Sequence, residues 1–548
     1  MANLDKMEKE ELVELVKKLQ HRKKYGLVWE EKSEDVVEQC KKELPVLEDN
    51  IKRAIKKDLT GPTNIIIEGD NYHSLSVLNY THAGKVDIIY IDPPYNTGAK
   101  DWKYNNDYVD ENDTYRHSKW LSFMHHRLLA TRNLLKSDGV LICTIDENEH
   151  STLGLLLQEV FPEKDIVCIT IVHNPGGIQG KNFSYTHEYA YFVYPKGGTY
   201  ISTLKRDDMK PTPLRDWGKE NSKREAAKNC FYPVYVKNGI VVGFGEVCPD
   251  NFHPKSNINK KDGTLEVYPV DKKGIERKWR FSRQSVESIK DELICQEIRG
   301  EFVVLREKKD YRWKTVWTDG KYNANVFGTQ FINKIIDTKF PFPKSIYAVQ
   351  DCIRAVVHSK EDAIILDFFA GSGTTGHAVM MLNQEDGGNR KFILCTNNEN
   401  GIAEEVTYQR IKKVISGYND TKGIPANLRY FKTAFVSKSK VSDDTRRELV
   451  RRSTEMICVR ENTFDKIVDN KNFKIYKNTD HVTGVLFDLD AISEFKERIA
   501  KQKLPASIYV FSLTNDTFDE DFDDFELKHE LCPIPESILE VYRKLFKE

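Results

Sequence analysis

Apolar positions along much of the chain fall in short unbroken runs, separated by stretches with helical spacing. Between residues 64 and 146 this alternation is regular. "NIIIEGD" reads as a buried strand ending in a turn, "HSLSVL" opens a helix, and "KVDIIYID" is a second strand. "WLSFMHHRLLATRNLLKSDG" follows as a helix closed by glycine, then "VLICTID" as a third strand. Strands that are apolar throughout are covered on both faces, so the pattern predicts an α/β fold with a mostly parallel sheet. "DIVCITIV" and "EYAYFVY" carry the strand series to about residue 194.

From about 196 to 325 the regularity stops, and aromatic, basic and turn-forming residues mix in "PLRDWGKENSKREAAKN" and "KKGIERKWRFSR". It resumes with "DAIILDFFAGSGTTGHAVMML", "RKFILCTNNEN" and "EEVTYQRIKKVI". The expected organisation is therefore a helical segment over 1–60, one α/β domain in two halves (61–195 and 326–425), an inserted module over 196–325, and a C-terminal α/β domain over 426–548 serving association. In the first segment Met7, Leu12, Leu15, Val16 and Leu19 recur at near-helical spacing.

Composition narrows the class. A chain of 548 residues exceeds one core, and 39% apolar residues with a mean hydropathy of −0.56 indicate a soluble protein. No run is long enough to span a membrane, and the charged N-terminus lacks the apolar block of a signal peptide, so a cytoplasmic location is expected. Ten cysteines occur singly, without CxxC pairs or zinc spacing, and read as reduced thiols with no metal. Net charge is −1, but residues 200–321 hold 26 Lys and Arg against 19 Asp and Glu. A basic module in a neutral chain fits an anionic partner met by that module; a solvated surface of mixed charge fits equally.

Two motifs carry chemistry. "ILDFFAGSGTTGHAV" is a strand, a glycine turn and a helix, with Gly371 and Gly373 placed to let a ligand approach the backbone. No lysine follows Gly373, which removes a Walker loop. Gly371, Gly373 and Gly376 match a dinucleotide spacing; a nucleoside without phosphate, such as S-adenosylmethionine, fits as well. Asp367, Phe368 and Phe369 favour the latter, because a carboxylate repels pyrophosphate and suits a sulfonium or ammonium. Thr374 opens the helix, and Glu399 is placed to accept from ribose hydroxyls or to lie solvated in a loop.

The second motif is Asp92-Pro93-Pro94-Tyr95 at the carboxyl end of a strand, where parallel sheets place their sites. An exocyclic amine on a base is a poor nucleophile because its lone pair is delocalised. Two acceptors on its N–H bonds, the Asp92 carboxylate and the Pro93 carbonyl, favour the tetrahedral nitrogen needed to attack a methyl group. Pro94 stiffens the turn, and Tyr95 can stack on a base rotated out of a duplex. A rigid surface turn is the bland alternative, weakened by the glycine loop in the same expected sheet.

With these motifs in view, the chain resembles the permuted class of DNA amino-methyltransferases, and more narrowly the modification (Mod) subunit of type III restriction-modification systems. The matching stretches include "KKYGLVWEEK", "IIIEGDNYHSLSVL", "VDIIYIDPPYNTG", "NPGGIQGKNFSYTHEYAYFVY", "FPFPKS" and "DFFAGSGTTGHAV". The resemblance implies a Rossmann-like mixed sheet, S-adenosylmethionine as cofactor and N6-methyladenine as product. It also implies that Asp70 approaches the cofactor's adenine and that "FPFPKS" lines its methionine side. As partners it implies double-stranded DNA, a homodimer and a restriction (helicase-nuclease) subunit, for which this chain carries no motif of its own.

Alternatives differ in chemistry. Methylation at cytosine C5 needs a Pro-Cys nucleophile, and no such dipeptide occurs. Cytosine N4 poses the same amine problem as adenine N6, and Asp at position 92 leans to adenine by resemblance. A stand-alone methyltransferase, a non-catalytic recognition subunit and an RNA substrate complete the set. For DNA contact the module offers Arg215, Lys223, Arg224, Lys273, Arg277, Lys278, Arg280 and Arg283, with Trp217 and Trp279 as stacking groups or, the better reading, core.

Overall fold

The computed structural model describes residues 9, 13, 27–58, 61–180, 182–205, 210–308, 310–357, 360–439, 442–513, 516 and 518–546. Met7, Leu12, Leu15, Val16 and Leu19 of the expected N-terminal helix lie outside them, and the segment over 1–60 is helical only in part: Asp35–Lys42 is a helix, but the apolar run after it, Glu43–Asp49, is a strand paired into the main sheet.

Among the described residues, ten of the eleven strands of the main sheet form one continuous path. They are β1 (Glu43–Asp49), β2 (Thr63–Glu68), β3 (Val86–Ile91), β4 (Leu135–Ile145), β5 (Lys164–Ile171), β6 (Glu188–Pro195), β7 (Val316–Trp317), β8 (Ile364–Asp367), β9 (Lys391–Thr396) and β10 (Asn427–Ser437). Their spatial order is β1-β10-β2-β9-β8-β3-β4-β6-β5-β7, with Ile55–Lys56 pairing beside β10. From β10 to β4 neighbouring strands are parallel, and β3, β8 and β9 are buried nearly throughout, as their unbroken apolar runs require. β6 runs antiparallel to both β4 and β5, which makes the sheet mixed.

Helices α1 (Asn71–Thr81), α2 (Arg116–Thr131), α3 (His150–Val160), α4 (Ile346–Val357), α5 (Thr374–Asp386) and α6 (Tyr408–Ser416) cover it. α2 ends at Thr131, earlier than its apolar spacing suggests. "LKSDG" joins β4 instead, Leu135 pairing with Val86 before a register shift brings Val140 opposite Ile88. Charged residues at a ragged strand start imitate a helix end, which is why periodicity misplaced the boundary.

The chain past residue 425 does not leave the sheet at once. β10 lies inside it, between β1 and β2, and a separate five-stranded sheet begins only at Asp465. Its strands stack in chain order, and the last helix returns to the main body, where the Tyr542 hydroxyl donates to the Pro45 carbonyl at 2.5 Å.

The second compact unit is Thr203–Trp313. Its entry strand Thr203–Lys205 pairs antiparallel with its exit strand Asp310–Arg312. Beyond that stem stands a seven-stranded antiparallel sheet around Tyr232, Val234, Trp279 and Val304.

Candidate active site

β3 and β8 are neighbours, with Ile88 opposite Ile365, so the turns that follow them open side by side at the carboxyl edge of the sheet. The first is Asp92–Tyr95. Asn96 closes it in the left-handed region at φ +57°, and its buried amide is fixed from both sides, donating to Glu149 Oε1 at 2.5 Å and accepting from Trp102 Nε1 at 3.0 Å. Trp120 Nε1 donates to the Pro94 carbonyl at 2.7 Å. Among the described residues no donor reaches the Pro93 carbonyl, which stays open as an acceptor.

Asp92 is held through one oxygen. The Thr144 hydroxyl donates to Oδ1 at 2.7 Å and Lys344 Nζ stands 3.0 Å from the same atom. The ammonium also lies 3.0 Å from Glu188 Oε2, to which the Tyr95 hydroxyl donates at 2.9 Å, and 4.3 Å from the centre of the Tyr95 ring. Burial would raise the Glu188 pKa, but the Lys344 ammonium and the hydrogen bonds from Lys344 and Tyr95 outweigh it and hold the acid below its ordinary range. Burial would lower that of Lys344, yet Asp92 and Glu188 push it well above the usual ammonium value. The Tyr95 phenol is driven far up by burial and by the same two carboxylates, so it remains a hydroxyl.

The second turn is the glycine loop. Gly371 and Gly373 take φ of +47° and +74°, and a Cβ on Gly371 would stand 3.1 Å from the Phe340 ring. The loop is braced from below: Thr407 donates to the Gly371 carbonyl at 2.5 Å, and buried Arg410 to Thr374 Oγ1 at 2.7 Å. Asp367 is placed differently from the expectation of a carboxylate offered to a cation. Both its oxygens are engaged, by Phe369 N–H at 2.9 Å and Thr375 Oγ1 at 2.5 Å, and burial lifts its pKa to about 7. Phe368 is fully buried, whereas Phe369 is half-buried and packs on Phe123.

Asp92, Pro93 and Pro94 of the first turn and Gly371, Ser372 and Thr374 of the second line one cavity of about 1210 Å³, together with Asp70, Glu399, Phe340 and Lys344, whereas Tyr95 and Gly373 stand behind that lining. Asp70 caps α1 through Tyr72 N–H. Glu399, past the end of β9, pairs with Lys103 at 2.5 Å, a residue of the hairpin Ala99–Tyr104 and Asp107–Asp110 whose side also lines the cavity. Carboxylates for hydroxyl groups, aromatic rings, and a loop with no phosphate-binding lysine fit a nucleoside cofactor without a pyrophosphate.

The basic candidates of the inserted unit divide sharply. Arg215 and Arg224 are buried; Arg215 bonds Glu301 and the Val270 carbonyl, and Arg224 bonds Glu276 and the carbonyls of Phe252, Cys248 and Pro249. They hold the fold and are withdrawn as surface contacts, since a loop-rich module uses guanidinium groups to satisfy its free carbonyls. Arg277 is bound to Asp271 and Ser222, Arg283 to Glu287 and the Gly245 carbonyl, Lys223 to Glu220, and Lys278 lies 3.9 Å from Asp216. Lys273 and Arg280 are exposed, with no side-chain partner among the described residues. Trp279 is core, but Trp217 is 56% exposed beneath the Arg215 guanidinium.

The family described as DNA methylase matches residues 86–407. The chain belongs to it. That span begins with β3 and ends at Thr407, one of the two braces of the glycine loop, so it contains both turns. Among curated relatives, the type III restriction-modification enzyme EcoPI Mod subunit of Escherichia phage P1 is 30% identical over 67% of this chain and 64% of its own length. The type II methyltransferase M.KpnI of Klebsiella pneumoniae is 31% identical over 64% of this chain and 84% of its own. The StyLTI Mod subunit of Salmonella typhimurium is 30% identical over 64% and 55%. The alignments thus span less than two thirds of either Mod subunit.

Three site residues escaped sequence reasoning. Thr144 and Glu188 sit inside strands that read as plain sheet, and Lys344 belongs to "FPFPKS", which was expected beside the cofactor. Only the charge of Glu188 at the head of an otherwise apolar strand hinted at a role. Among the described residues no cluster of His, Cys, Asp or Glu could hold a metal, and no helix is long and apolar enough to cross a membrane.

Proposed function

We propose that the protein is an S-adenosylmethionine-dependent DNA methyltransferase that modifies the exocyclic N6 amino group of an adenine turned out of the duplex. The observation that carries this reading is that Asp92, whose Oδ2 takes no protein donor among the described residues, and Pro93, whose carbonyl takes none, line the same cavity as the glycine loop. Asp70 and Glu399 would hold the cofactor's adenine and ribose, Phe340 and Phe369 would flank it, and Gly371 and Gly373 would let it approach the backbone. When bound, it supplies a methyl group carried on a sulfonium.

The chain's own residues then act on the amine. Asp92 and the Pro93 carbonyl accept its two N–H bonds, which draws the lone pair out of conjugation with the ring. As nitrogen gains carbon it gains positive charge, and the fixed Asp92 carboxylate lowers the energy of that state. Nitrogen finally sheds one proton, for which Asp92 is the acceptor at hand. The Tyr95 ring offers a stacking face for the extruded base.

The named Mod relatives support a role as the modification subunit of a type III system; on this reading the chain would act as a homodimer that joins a restriction subunit in the cytoplasm. Incorporation of labelled methyl into duplex DNA, followed by nucleoside analysis, tests the activity. N6-methyladenine is the expected product; N4-methylcytosine would move the target, and no incorporation would remove the reading. Asp92→Ala is expected to lower the rate by about 10²-fold or more.

A further inference from the structure

Two donors crowd onto one oxygen of Asp92. Thr144 and Lys344 both bind Oδ1, while Oδ2 receives no protein donor among the described residues. Lys344 simultaneously binds Glu188, and Glu188 holds the Tyr95 hydroxyl. The acceptor and the stacking ring are therefore tied to a single ammonium. That ammonium comes from a stiff segment. Pro341 and Pro343 flank Phe342, which sits at φ +51° and 88% exposed, and the Pro343 carbonyl lies so close to Gly328 that a Cβ there would stand 2.1 Å away. A bulky residue held in the left-handed region marks a loop whose conformation is imposed by its surroundings.

We propose that Lys344 is a positioning residue of the methyl-transfer site: bridging Asp92 and Glu188, it keeps both acids ionised together, fixes Oδ1, and leaves Oδ2 for the target amine. This rests on the function proposed above. The physical reason is charge. Two carboxylates share one site, Glu188 buried and Asp92 at the cavity wall, and like charges so placed do not both ionise readily unless a cation stands between them. If Asp92 carried the proton it would present a donor to the amine and lose its role.

The other titratable groups facing this cluster do not replace Lys344. Tyr90 on β3 and Cys143 on β4 are buried and keep their protons, burial and the Asp92 charge both acting in that direction. On α4, Cys352 is likewise protonated. His173, after β5, is pushed toward its neutral form by burial. Asp146, after β4, and Asp367, after β8, are themselves acids raised by burial. Among the described residues, Lys344 is thus the cation that stands between Asp92 and Glu188.

The test compares wild type, Lys344→Met, Glu188→Gln and the double variant, since Met keeps the apolar stem and removes the charge. In methyl transfer to duplex DNA, Lys344→Met should move the acid limb of the kcat/KM profile up by about one pH unit or more. Adding Glu188→Gln should bring it back toward wild type, because one acid then needs no partner cation. Asp367→Asn in each background identifies any limb that belongs to Asp367. A second measurement needs no substrate. The thermal stability of Lys344→Met should fall steadily relative to wild type from pH 5 to 8, as its unpaired acids ionise, and the double variant should lack that slope. Equal loss of rate at every pH, a double variant no better than the single, or a stability difference independent of pH would overturn the proposal. If wild type transfers no methyl group, the function reading falls, and the stability profiles alone decide the role of Lys344.

Discussion

At the scale of single residues the site is a set of acids whose surroundings assign them different work. Asp367, with a pKa lifted to about 7, is the clearest case. Its folded value lies above that of an unfolded aspartate, so between about pH 4 and 7 the native state binds the extra proton and stability declines as pH rises. The slope has an upper bound of roughly 1.4 kcal/mol per pH unit. Asp367→Asn should flatten that decline in denaturant titrations while the loop's hydrogen bonds to Phe369 and Thr375 are partly kept. Glu399 lines the same cavity and pairs with Lys103. Glu399→Gln is expected to weaken S-adenosylmethionine binding about tenfold by calorimetry, the loss of one charged acceptor amounting to about 1.4 kcal/mol. An unchanged affinity would leave Glu399 with only its partner Lys103.

At the scale of elements the functional unit is a strand followed by a turn, used twice on adjacent strands. Gly371→Ala tests the second copy. The substituted residue would meet both a left-handed backbone and the Phe340 ring, costing roughly 1–2 kcal/mol from the backbone alone. Reduced stability together with lost cofactor binding is expected. Both turns were legible in the sequence because each breaks its pattern abruptly, with paired prolines after Ile91 and spaced glycines after Asp367. The support beneath them was not. Thr144 follows an apolar run and is indistinguishable from any strand threonine, and Glu188 reaches the site only because β6 runs antiparallel beside β4. No local spacing reports which way a strand runs. β10 was misjudged for the same reason: Pro425 looks like a boundary, yet the next strand returns to the sheet because β2 has a free edge to offer it.

At the scale of the whole molecule, charge was the faintest guide. The excess of basic residues over 200–321 is real, but Arg215 and Arg224 are consumed within their own unit. Arg215→Ala should destabilise that unit by about 3–5 kcal/mol, because Glu301 is left without its partner. Lys273→Glu with Arg280→Glu should leave the fold intact and reduce the slope of log affinity against log salt by about two for duplex DNA. A slope equal to that of wild type would remove both residues from the interface.

The paired stem at Thr203–Lys205 and Asp310–Arg312 has an evolutionary corollary. A lineage that replaces everything strung beyond those two short strands leaves β3, β8 and their turns untouched. Because the two ends of that segment lie side by side, such an exchange needs only one contiguous stretch of chain.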